Sequence, residues 1–185
     1  MLLTLGPGGS FKLHAKGPLT ARLGEQRYME NTVFDILVYV FDHYLFEELP
    51  VHAERADIAR DLEVAGFRGA NVERALNWLA DLADQRERPG LRANERAFRL
   101  YSADESERLD AACRGLLLSL ERGGILSATQ REIVIERLLA LDTEELSLEQ
   151  VKWVVLMVLS CQPGQEAACE RMEDMLYDLP VQVPH

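Results

Sequence analysis

Basic residues are in short supply in this chain: 20 Lys and Arg stand against 31 Asp and Glu, a formal net charge of −11. That balance argues against wholesale wrapping of nucleic acid or of an anionic membrane, because phosphate binding depends on Lys and Arg neutralising charge. A basic patch on one face remains compatible with it. Cysteine is scarce as well. Cys113, Cys161 and Cys169 are odd in number, and no two have the close spacing of a zinc knuckle or a redox pair, so they read as reduced thiols of a cytosolic protein. His14, His43, His52 and His185 are scattered, with no two at the spacing that sets a pair of metal ligands on one helix face.

Long hydrophobic runs are missing too. The most apolar stretch, residues 151–159, is interrupted by Lys152 and falls far short of the roughly 20 residues that cross a bilayer, so it reads as a buried helix. The first eleven residues lack the basic start and sustained apolar stretch of a secretory signal, which points to the cytoplasm. No Gly-rich phosphate loop, nucleophile elbow or Cys with a placed His occurs. Acids are abundant without converging. Glu132 and Glu136 lie one turn apart between Arg131 and Arg137, and Glu170, Glu173 and Asp174 lie beside Arg171; both groups read as solvated helix faces. No catalytic residue, metal or cofactor is expected.

What is present is helical punctuation. Ser102 with Glu105, Ser127 with Gln130 and Ser147 with Gln150 each place a serine three residues ahead of Glu or Gln before an apolar run. In such a capping box the serine oxygen accepts from the third helical N–H while the acid or amide reaches back to the serine N–H. With 185 residues, 48% of them hydrophobic, the chain suits one ordinary domain or two small ones.

Residues 1–28 differ from the rest: they hold seven Gly and Pro, and Lys12, Lys16, Arg22 and Arg27 against Glu25 alone, and read as a flexible extension or an upstream start codon ahead of Met29. From residue 31, Val33, Leu37, Val40 and Tyr44 form a helical stripe widened by Phe34, Phe41 and Leu45. A second helix is expected over 53–65, with Ile58 and Leu62 inward and Gly66 as its left-handed end. A third, over about 71–86, turns Val72, Leu76, Leu79 and Ala83 inward and Asn71, Arg74, Trp78, Asp81 and Gln85 outward. After Pro89 and Gly90, residues 91–93 and 97–101 suit a short β-hairpin turning at Asn94 and Glu95.

Beyond Ser102 a four-helix bundle is expected. Its first helix repeats Leu109, Cys113, Leu116 and Leu120 and ends at Gly123 and Gly124. Val134, Ile135, Leu138, Leu139 and Leu141 line the next, the helix from Leu148 is central, and Ala168, Met172, Met175, Leu176 and Leu179 stripe the last. The predicted fold is therefore mainly α: a winged-helix-like N-terminal half over 29–101, with three helices and a hairpin, packed on a helical bundle over 102–185.

Helix, turn, helix, hairpin is the order in which a winged-helix module presents its second helix to the major groove and its hairpin to the backbone. Asn71, Arg74 and Asn77 would then face bases, and Arg92, Arg96 and Arg99 phosphates. Between residues 68 and 99, seven arginines face five acids. Such modules also dock proteins, and Asp81 and Asp84 would repel phosphate. Ala65, Gly66 and Phe67 with Val72, Ala75 and Leu76 also look like the loop and third helix of ubiquitin-associated domains, although a helix cap whose aromatic returns to the core explains Gly66 and Phe67 equally well. Trp78, off the inner face and beside Arg74, is either covered by the bundle or anchors a partner, whereas Trp153 reads as core.

Three blocks of the second half, Glu107-Arg108-Leu109-Asp110-Ala111-Ala112-Cys113-Arg114-Gly115-Leu116, Arg131-Glu132-Ile133-Val134-Ile135-Glu136-Arg137-Leu138-Leu139-Ala140-Leu141-Asp142 and Val151-Lys152-Trp153-Val154-Val155-Leu156-Met157-Val158-Leu159, resemble the Smg family of bacterial cytoplasmic proteins. Val33-Phe34-Asp35-Ile36-Leu37, Ala65-Gly66-Phe67 and Ala75-Leu76-Asn77-Trp78-Leu79 agree, so the likeness covers about residues 29–179. The family pattern lacks the first 28 residues. The resemblance brings no activity, cofactor or catalytic residue with it, and implies genes that lie near those of DNA-processing proteins. The leading expectation is a non-enzymatic protein that docks an unidentified cytoplasmic protein through its acidic bundle surface or the Arg74 and Trp78 face. The alternative is a DNA-binding accessory protein, and membrane association is not expected.

Overall fold

Ser102, Ser127 and Ser147 do start helices. In the computed structural model, which describes residues 31–45, 55–87 and 99–177, all three serines close complete capping boxes. Among the described residues all regular structure is helical: α1 Val33–Leu45, α2 Arg55–Val64, α3 Gly69–Glu87, α4 Ala103–Arg108, α5 Ala111–Arg122, α6 Ala128–Leu139, α7 Leu148–Ser160 and α8 Glu166–Tyr177. The chain divides into two compact units between Glu87 and Arg88.

In the first unit α3 packs on both α1 and α2. Thr32 and Asp35 open α1 with a reciprocal pair of backbone bonds, at 3.0 and 3.1 Å, that satisfies two orphan N–H groups. The end of α2 is closed by Gly66 at φ +98°, which a residue with a Cβ adopts only at a cost, and by the bond from Phe67 N–H to Leu62 O. That turn sends Phe67 back into the core, edge-on to Tyr39 at 5.3 Å. Gly66 and Phe67 are thus the helix cap and returning aromatic.

The buried side of α3 is broader than its sequence stripe. Val72 and Leu76 are inward as expected, but Ala75, Trp78 and Leu82 are buried with them, and Leu79 and Ala83 lie at the margin. The winged-helix expectation is corrected: Arg99, Leu100 and Tyr101, the described end of the proposed hairpin, form no strand, and residues 91–98 lie outside the described residues. The physical reason is that Arg99 is held by carboxylates of α4 and α6 while the chain runs directly into the Ser102 cap. Residues 99–101 accordingly belong to the second unit.

In the second unit α7 is the centre, packing on α5, α6 and α8, and Trp153 to Ser160 are all buried. A continuous helix from Ser102 to Gly123 is not formed. Leu109 turns extended, at φ −103° and ψ 103°, and Asp110 caps a new helix by accepting from Cys113 N–H at 2.7 Å. A short acidic side chain able to bond its own backbone ends one helix and starts the next. The restart buries Leu117 completely and leaves Leu116 half-exposed. Leu138 and Met172 are fully buried as expected, whereas Leu139 is half-exposed and Met175 exposed. The side chains of Tyr44 and Leu45, Leu179, and residues 1–28 lie outside the described residues.

Candidate functional site

On α3 the residues expected to read a partner are already occupied. Asn71 is half-buried and donates from Nδ2 to the carbonyl of Asn31 at 2.6 Å, and the Asn31 side chain accepts from Arg68 N–H at 3.2 Å. Asn77 is exposed, but its Oδ1 accepts from Arg55 at 2.8 Å, and the same guanidinium nitrogen bonds Glu73 at 2.7 Å. Both amides therefore tie elements of the first unit together. Trp78 is 3% exposed, which withdraws its indole from the surface. Arg74 is exposed, in company with the exposed acids Glu73, Asp81 and Asp84. Arg92 and Arg96 lie outside the described residues.

The second unit draws most of its described arginines inward. Arg99 donates from Nε to both oxygens of Glu132, at 2.9 and 3.1 Å, and from its two terminal nitrogens to Glu105, at 3.0 and 2.7 Å. Arg131, on α6, pairs with Glu121 and with Glu132, and the guanidinium of Arg99 covers the Tyr101 ring at 4.3 Å. The clasp therefore joins α4, α5 and α6 to residues 99–101. Bonds from Arg99 hold the Glu105 carboxyl below its ordinary range. Burial raises that of Glu132, but the bonds from Arg99 and Arg131 overcome it and hold it low as well.

Arg108 makes a second inward anchor. Its terminal nitrogens donate to the carbonyls of Leu139, Leu141 and Thr143 at 2.6, 2.6 and 2.8 Å, which satisfies the end of α6 and fixes the loop to α7. Leu146 N–H closes the same junction on Arg108 O at 3.1 Å. Arg114 likewise bonds the carbonyl of Leu109 at 2.7 Å, and Arg137 is buried beside Glu136.

The consequence is electrostatic. Among the described residues of this unit, Arg122 and Arg171 are the exposed bases, while Glu107, Asp110, Asp142, Glu144 and Glu145 are all exposed around the C-terminal end of α4 and along the loop that Arg108 holds. A rigid edge of carboxylates, backed by arginines that face the interior, attracts a basic surface and repels phosphate. Among the described residues no His, Cys, Asp or Glu group is placed to hold a metal ion, and no helix is long and apolar enough to cross a membrane.

The roles of four residues in this arrangement, Glu132, Arg131, Arg99 and Arg108, escaped the sequence reading. Glu132 is a partner in the clasp, not simply part of a solvated face. Arg131 was detectable, because it stands at i of an i, i+3, i+4, i+7 set with Val134, Ile135 and Leu138 and so lies on the buried stripe. Arg99 and Arg108 act on groups 31 to 35 residues away, as well as on nearby Glu105, and carry no local signal for those distant contacts.

Fold and surface together define a mainly helical protein with a carboxylate-rich edge. Residues 33–185 match the family described as "Protein of unknown function (DUF494)". The chain is 44% identical over 158 residues to the "Protein Smg homolog" of Thioalkalivibrio sulfidiphilus, covering 85% of this chain and 100% of that protein. It is 43% identical over 157 residues to the "Protein Smg homolog" of Alkalilimnicola ehrlichii, with the same coverage, and 44% identical over 151 residues to the "Protein Smg" of an Enterobacter species, covering 80% and 96%. No solved structure matches. The chain belongs to the Smg family, as its sequence blocks led one to expect.

Proposed function

We propose that this Smg-family chain is a non-enzymatic docking protein, whose acidic edge around the α4 end and the α6–α7 loop receives a basic surface of another cytoplasmic protein. The reading rests on one observation: Arg99, Arg108, Arg114 and Arg131 are spent on carboxylates and carbonyls within the second unit, so among its described residues exposed acids outnumber the exposed bases Arg122 and Arg171. A loop fixed at Leu141 and Thr143 by two bonds from Arg108 presents its acids at low entropic loss, which favours recognition over mere solubility.

Contact with DNA through Asn71, Arg74 and Asn77 is the alternative, and the engaged amides of Asn71 and Asn77 and the neighbouring acids count against it. The two differ in their response to nuclease and to charge. Changing Glu144 and Glu145 together to Lys is expected to abolish partner capture without altering the fold, because both are exposed. Capture that persists unchanged in that variant would remove the acidic-edge reading.

A further inference from the structure

We draw no further inference here: the strongest candidate, the exposed Leu148 in the first turn of α7 close in sequence to Glu144 and Glu145 of the acidic edge, is a single apolar side chain at the site already described, and nothing in the structure shows what covers it.

Discussion

Replacing Arg99 by alanine removes the cation that stands between Glu105 and Glu132. Arg99 is 14% exposed and Glu105 18%, and the guanidinium makes four bonds of 2.7–3.1 Å from Nε and both terminal nitrogens, with a fifth at 3.1 Å to Glu132. Breaking a buried pair by deleting one partner typically costs about 3–5 kcal/mol. Glu132 is 42% exposed and keeps Arg131, so the expected loss is smaller, about 2–3 kcal/mol. Urea unfolding at pH 7, followed by the fluorescence of Trp153 in the same unit, measures it. The pH dependence is a second, independent reading. Both carboxyls sit below their ordinary value of 4.5 in the folded chain, so the unfolded chain binds protons first as pH falls. Their contribution is complete above about pH 4.5 and is lost as pH drops through the lower folded values. The gap between parent and Arg99→Ala should therefore be full at pH 7 and close under more acidic conditions. A loss below about 0.5 kcal/mol, or a gap independent of pH, would refute the clasp.

Leu138→Ala, at a fully buried position, should cost about 2–5 kcal/mol by cavity formation, and a loss under about 0.5 kcal/mol in urea melts would show that the α6 stripe is not core. Glu173 behaves in the opposite sense to the clasp acids: burial, with Glu170 and Asp174 nearby, raises its carboxyl, so stability declines as pH rises from 4.5 through the raised value. Glu173→Gln should be the more stable protein at pH 7, by less than about 1 kcal/mol because the group is only half-buried, with no advantage below pH 4.5; thermal melts at both pH values decide it. A thiol reagent at mildly alkaline pH should modify half-buried Cys161 first. Cys113 and Cys169 are buried, and burial, then Asp110, pushes the Cys113 thiol up to about 12; peptide mapping that finds Cys113 labelled first would contradict this.

The sequence was most readable where the determining contacts are local. A capping box is complete within four residues, so Ser102, Ser127 and Ser147 announced their helices, and Gly66 its helix end. The apolar run of α7 was legible because a helix buried on nearly every side has no polar face to find. Asp110 was harder: Leu109, Cys113, Leu116 and Leu120 keep helical spacing across it, and only the local bond to Cys113 N–H decides for a break. The site was least legible because its logic is long-range. Asn71 and Asn77 looked available until Asn31 and Arg55 claimed them, and Trp78 lies on a flank of α3 that periodicity assigned to the surface. Arg99 was assigned to a hairpin on local pattern alone, whereas its partner Glu132 is 33 residues on.

The central claim is that the acidic edge docks a protein. The measurement that tests it most directly is recovery of the tagged chain from its native cells, with and without nuclease, beside the variant carrying Lys at 144 and 145. The account predicts a partner that survives nuclease, falls away as salt rises, and is lost from the variant, while both proteins melt alike. Nucleic acid in the untreated sample, with every co-purifying protein gone after nuclease, would contradict it.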